Sequence, residues 1–192
     1  MKPFILASQS PRRKQLLEQV QLPFKVVKSE IEEKVDPALS PDELVASLAW
    51  QKATDVFSRD ENQVVLGADT IVSIGGKVLG KPKNELEAKE MLKHLSGQKH
   101  QVYTGVAIRS QEHNFTFFEK ADVQFYELDE SEIESYIASG EPFDKAGSYG
   151  IQGLGATLVE KIEGDYFTIV GLPVARLVRA LKEKQMINTR NP

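Results

Sequence analysis

From Thr70 to Leu79 the sequence alternates apolar and polar residues on both sides of a glycine pair: Thr70-Ile71-Val72-Ser73-Ile74, then Gly75-Gly76, then Lys77-Val78-Leu79. A period of two reads as strand, and Gly-Gly suits a tight two-residue turn between antiparallel strands. This hairpin competes with another pattern, because Gly75 to Lys81 also spells the G-x-x-x-x-G-K of a P-loop. A P-loop needs a Ser or Thr after its lysine to hold magnesium, and a helix opening there. The residue after Lys81 is Pro82, so the hairpin is the better account. Counting outward from the turn, a regular register sets Ile74 opposite Lys77 and Thr70 opposite Lys81, with Cβ atoms about 5 Å apart. An acid, a hydroxyl and an amine (Asp69, Thr70 and Lys81) then meet at the open end of the hairpin, either as a site or as an exposed ion pair.

Helical signals on both sides of the hairpin make this a mixed α/β chain, with helices packed on a twisted sheet. Strands are expected near 3–7 and 23–27, with a helix near 11–20 between them. Ser40, Pro41 and an acidic first turn open a helix to about residue 58. Asn84 with Glu87 resembles a capping box for a helix at 85–95. Longer strands follow around 100–109 and 114–126, then a short helix after Asp129 and Glu132 that ends at Gly140. Strands near 156–162 and 166–170 lead to a last helix at about 173–184, with Pro173 in its first turn.

At 192 residues and 41% hydrophobic, the chain supports one good-sized core or one domain of two lobes. The expected organisation is a single domain over 1–192. A net charge of −4 argues against a general nucleic-acid surface. Cysteine is absent, which rules out disulfides and thiolate metal sites. The apolar run at 4–7 is too short for a signal segment, and no run approaches a membrane span. These features point to a cytoplasmic protein with no membrane or nucleic-acid partner, and they leave monomer and homodimer open.

Several places invite an anion. Ser10 is a good N-cap and Pro11 fits the first helical position, so the free N–H groups of that helix end attract negative charge. Arg12 and Arg13 sit just inside it, against the helix dipole, and call for a polyanionic ligand or nearby acids. Lys52 interrupts the apolar row Leu44, Leu48, Val56, either with its stem covering the core edge or as a partner for an anion. Glu32-Glu33 follows a strand and offers a magnesium carboxylate or a solvated pair. His94, His100 and His113 lack metal-ligand spacing. Gln152, in the glycine-rich segment 150–155, carries the donor and acceptor needed to read a nucleobase edge.

Taken together, Ser8 to Arg13, Glu32-Glu33, the Lys52 helix, Gly67-Ala68-Asp69-Thr70, Gly80-Lys81-Pro82, Asp144 to Gly153 and Gly171-Leu172-Pro173 resemble, in order and over nearly the whole chain, the Maf family of nucleoside triphosphate pyrophosphatases. The resemblance implies an elongated α/β fold, akin to inosine triphosphate pyrophosphatases, with a central cleft between two lobes. It implies hydrolysis of a nucleoside triphosphate to its monophosphate and pyrophosphate with a divalent metal, Mg or Mn. On this chain it makes Asp69 the catalytic residue, as proton acceptor or metal ligand, and Glu33 a supporting metal contact. Ser8, Arg13, Lys52 and Lys81 become phosphate-binding residues. Arg12, Thr70 and Gln152 match positions that separate subgroups, and Tyr149 to Gly153 looks like the subgroup acting on dTTP and UTP rather than 7-methyl-GTP. A nucleotide-binding regulator of cell division without turnover would share the anion-binding residues, but Asp69 disfavours it.

Overall fold

A computed structural model describes residues 3–187. Within these described residues seven strands, β1 (Phe4–Leu6), β2 (Phe24–Val26), β3 (Val65–Ile74), β4 (Lys77–Leu79), β5 (Lys99–Arg109), β6 (Asn114–Phe125) and β7 (Val159–Glu163), form one mixed sheet. Its order is β2-β1-β3-β5-β6-β7, with β4 paired to β3 off this path. β1 runs parallel to β2 and β3, whereas β3–β4 and β6–β7 are antiparallel. Among the described residues six α-helices accompany it: α1 (Pro11–Gln19), α2 (Pro41–Phe57), α3 (Glu85–Leu95), α4 (Glu130–Ala138), α5 (Tyr166–Val170) and α6 (Val174–Glu183).

The hairpin has the expected register, Ile74 opposite Lys77 and Val72 opposite Leu79. Gly75 and Gly76 both take positive φ, 57° and 80°, as a type I′ turn requires. β4 ends at Leu79, so Lys81 lies beyond the strand. The Gly80 carbonyl instead accepts from the Gly147 amide at 3.0 Å.

Three expectations are corrected. The segment Tyr166–Val170 is helical, not a strand. Its aromatic and β-branched residues favour strand locally, but the Asp165 carboxylate accepts from both the amide and the hydroxyl of Thr168 at 2.8 Å, capping a helical turn. Likewise Gly153–Leu158 is a 3-10 turn, and β7 begins only at Val159. At α3, Asn84 Oδ1 accepts from the Glu87 amide as expected, but the Glu87 carboxylate reaches back to the amide of Lys83 rather than Asn84.

The chain divides into two compact units. The first comprises 1–69, 104–119 and 171–192, and the second 70–103 and 120–170. In the first, Ile5, Ala7, Ala49, Ala53, Val56, Phe57, Val65 and Ala107 pack together, joining α2 to β1, β3 and β5. The second has its own core, where α3 and α4 contribute Leu92, Leu95, Ile133 and Tyr136 around Phe125.

That second core contains an imidazole. His100 is fully buried, with Nε2 2.7 Å from the Tyr149 hydroxyl and its ring edge-on to Phe125 and Tyr149. Burial disfavours the imidazolium and pulls the His100 pKa down to about 4. Because the unfolded chain protonates first, near pH 6.5, His100 contributes full stability above that pH and loses it as pH falls toward 4. Relative to His100→Gln, which does not titrate, the wild type should lose about 3 kcal/mol of unfolding free energy between pH 7 and pH 4. Urea melts of both proteins measure it, and a constant difference across that range would refute a buried neutral His100.

Candidate functional site

At the start of α1, Ser10 caps the helix by accepting from the Arg13 amide at 3.5 Å. Arg13 turns inward and is only 8% exposed. Its Nε donates to the Gly171 carbonyl at 2.8 Å and its Nη1 to Ser8 Oγ at 3.1 Å. Burial pulls the Arg13 pKa down and neighbouring Arg12 adds to this, while the charges of Asp69 and Glu33 oppose it. The dipole conflict noted in the sequence is thus answered within the protein, by a carbonyl, a hydroxyl and two carboxylates. Ser8 Oγ accepts from both Arg13 and the Ser10 amide (3.2 Å), so its own hydrogen remains to donate outward. Arg12 is half-buried. The Gly171 carbonyl is a site component that residue types could not reveal, since its contribution is backbone.

α2 supplies the next charge. Leu44, Leu48 and Val56 are buried as the apolar row predicts, and the Lys52 side chain is 16% exposed. Its ammonium does not escape to water. Nζ lies 2.5 Å from Asp69 Oδ1 and 3.0 Å from Glu33 Oε1. Asp69 ends the first unit's portion of β3, with its side chain 13% exposed. Glu33 comes from the exposed segment after β2, and its neighbour Glu32 is solvated.

The closeness of Lys52 and Asp69 has a backbone cause. A Cβ at Gly67, two residues before Asp69 and on the same strand face, would lie 2.3 Å from the Ala49 carbonyl oxygen. One at Gly105 on β5 would meet the Val45 carbonyl oxygen at 2.3 Å. Two glycines therefore let α2 approach the sheet more closely than any side chain permits. A glycine inside a strand is the sequence signal for such an approach, and Gly67 carries it.

The remaining predicted residues belong to the second unit. Thr70 follows Asp69 on β3 and is partly buried, whereas Lys81 and Gln152 are exposed. Neither Lys81 nor the Gln152 side chain is tied up by an ion pair or hydrogen bond to another described residue. The loop carrying Gln152 is well held. The Gly150 amide donates to the Tyr136 hydroxyl at 3.3 Å, and the amides of Leu154 and Gly155 donate to the Glu141 carboxylate at 3.0 and 3.3 Å. Burial raises the Tyr136 pKa to about 12, so it stays a neutral phenol throughout the working range. With the Gly147 bond to Gly80, the Gln152 loop and the Lys81 segment are joined through backbone.

Asp69 and Glu33 converge on one cationic nitrogen, and their donors are hard oxygens. Magnesium takes one or two protein carboxylates and completes its octahedron with water and substrate phosphates, so this pair fits it. No cluster of three or more His, Cys, Asp or Glu suited to a metal occurs among the described residues. No helix among them is long and apolar enough to cross a membrane.

The chain is 58% identical over 183 residues to a dTTP/UTP pyrophosphatase of Bacillus mycoides, spanning 95% of this chain and 96% of the relative. A dTTP/UTP pyrophosphatase of Bacillus cytotoxicus is also 58% identical with the same coverage, and one of Bacillus cereus is 57% identical. Among solved structures, the Staphylococcus aureus Ham1 protein aligns with a TM-score of 0.48 at 14% identity, over 66% of this chain and 73% of that one. The model of the family described as Maf-like protein matches residues 3–184, and the chain belongs to that family.

Proposed function

We propose that the protein hydrolyses dTTP and UTP to the nucleoside monophosphate and pyrophosphate, as a house-cleaning enzyme of ordinary or modified nucleotides in the cytoplasm. The observation that carries this is the Lys52 ammonium held between Asp69 and Glu33, with Arg13 buried behind. The likeness to relatives named dTTP/UTP pyrophosphatase over nearly their full length supports the substrate class.

In the free protein Lys52 neutralises both carboxylates. An arriving triphosphate offers Lys52 denser negative charge, so the ammonium turns to a phosphate oxygen and Asp69 is released to accept a proton. Water attacks the α-phosphorus, its proton passes to an Oδ of Asp69, and the bond from that phosphorus to the α,β-bridging oxygen breaks as pyrophosphate leaves with the bond's electrons. Arg13, Lys52 and Lys81 stabilise the charge on the departing group, and Ser8 donates to a phosphate oxygen. A divalent cation, magnesium or manganese, would be held by Asp69 and Glu33 and would supply neutralisation of the triphosphate charge.

Gln152 reads the base. Its amide pairs with the O4 acceptor and N3–H donor of thymine or uracil, and Arg12 and Thr70 fix which way the amide faces. Pyrophosphate release over a panel of nucleotides tests this reading. dTTP and UTP should show higher kcat/KM than CTP or 7-methyl-GTP, and Gln152→Ala should narrow the gap about tenfold, as expected for loss of one or two discriminating hydrogen bonds. A preference for 7-methyl-GTP would place the chain in the other subgroup, and no turnover at all would leave a nucleotide-binding regulator.

A further inference from the structure

Glu33 reaches the cluster from an unusual segment. Beyond Val27, which packs on the first unit's core and donates its amide to the Leu6 carbonyl at 3.1 Å, residues 28–36 contain neither helix nor strand, and every residue from 30 to 38 is exposed, including Ile31 and Val35 at 38% and 61%. Apolar burial therefore does not hold this strap. Its attachments are polar and come from one face of α2, where Gln51, Asp55 and Arg59 stand at successive i, i+4 positions up to and just past the helix end.

The Asp55 carboxylate accepts from Ser29 Oγ and from the Glu30 amide, both at 2.9 Å. Arg59 braces it, donating to Asp55 Oδ2 at 2.6 Å and to the Lys28 carbonyl at 3.1 Å. One turn earlier, the Gln51 amide group pairs in both directions with the Lys34 backbone, accepting from its N–H at 2.9 Å and donating to its carbonyl at 3.0 Å. Between these clamps lies the Glu33 contact to Lys52, itself the helix residue next to Gln51. Burial raises the Asp55 carboxyl pKa, but the bonds from Glu30, Ser29 and Arg59 outweigh it and hold it below the ordinary value.

We propose that Gln51 and Asp55 are positioning residues that hold Glu33 beside Lys52 and Asp69 by clamping the backbone of residues 29–34 to α2. Neither touches the reacting atoms. The inference rests on the reading of Glu33 as a metal-holding carboxylate. An unclamped strap keeps Glu33 in place for a smaller fraction of the time, and apparent metal affinity falls by that fraction.

The test compares wild type, Gln51→Ala, Asp55→Ala, Glu33→Gln and the Glu33→Gln/Asp55→Ala double variant. Amide hydrogen exchange of residues 29–35 is measured without metal or nucleotide. Mn2+ is then titrated calorimetrically in the presence of the non-hydrolysable α,β-imido analogue of dTTP. Asp55→Ala should exchange faster at the Glu30 amide and Gln51→Ala at the Lys34 amide, the two amides the clamps accept from, and each variant should bind Mn2+ about tenfold more weakly. Its kcat should approach wild type at saturating Mn2+, and Asp55→Ala should add nothing once Glu33 is Gln. Unchanged Mn2+ affinity in both clamp variants, or additive losses in the double variant, overturns the proposal while leaving the functional reading untouched. A wild type that shows the Mn2+ shifts but releases no pyrophosphate overturns the functional reading and leaves the clamp standing. A wild type that binds no Mn2+ overturns the proposal, and it overturns the functional reading too only if no pyrophosphate is released with magnesium either.

Discussion

Asp69→Asn is expected to lower pyrophosphate release from dTTP by about a thousandfold, within the range that loss of a positioned acid–base group costs. Size and shape are kept, so packing around a side chain that is 13% exposed is undisturbed. The charge is lost, and with it both the proton acceptor and one of the two carboxylates suited to a divalent cation. Lys52 keeps Glu33 as a partner at 3.0 Å, so the ammonium is not left unpaired and the fold should lose no more than about 1–2 kcal/mol. Binding should survive better than turnover, because the variant removes a negative charge that the triphosphate must approach. The measurements are single-turnover hydrolysis, nucleotide affinity by calorimetry, and a thermal melt. A variant that turns over at near the wild-type rate removes Asp69 from the chemistry, and one that fails to melt cooperatively shows instead that the Lys52–Asp69 pair is structural.

What the sequence disclosed about this site depended on whether the cause was local. The hairpin was legible because Gly75-Gly76 and the alternation around it act within a few residues. Lys52 was legible as an anomaly, a charge in an apolar helix row, though whether it met water or an acid depended on partners far along the chain. Residue type did not tell Glu33 from its solvated neighbour Glu32, and only the family resemblance singled it out, since its place is set by side chains of α2 rather than by its own segment. The stretch 166–170 misled for the opposite reason. Its residues favour strand, and a single upstream cap, Asp165, decides for helix. Arg13 was legible as a cation set against the helix dipole, but its bond to the Gly171 carbonyl joins residues 158 positions apart and no local signal could show it.

Gly67→Ala is the variant in which packing and chemistry should fail together. Gly67 needs no unusual φ, so the penalty is purely steric. The added methyl would lie 2.3 Å from the Ala49 carbonyl oxygen and 2.9 Å from the Ala53 backbone nitrogen and Cβ. These atoms belong to the helix backbone or its first side-chain carbon, and none can swing away by changing rotamer. Ordinary contact begins near 3.4 Å, so α2 must retreat by about 1 Å or the strand must bow. Overpacking of this kind costs about 1–3 kcal/mol, and for a chain of this size that lowers Tm by roughly 4–10 °C. Lys52 lies three residues beyond Ala49 on the same helix face, so a retreat there pulls its ammonium from Asp69, now 2.5 Å away. A misplacement of about 1 Å in a reacting constellation can cost roughly a hundredfold in rate. Gly105→Ala provides the control, because its methyl would strike the Val45 carbonyl oxygen at the same 2.3 Å but two helical turns from Lys52. The two variants should melt at similar temperatures, while kcat measured well below both transitions should fall about tenfold further in Gly67→Ala than in Gly105→Ala. Equal kcat values in the two would mean that the close approach of α2 stabilises the fold without setting the distance between Lys52 and Asp69.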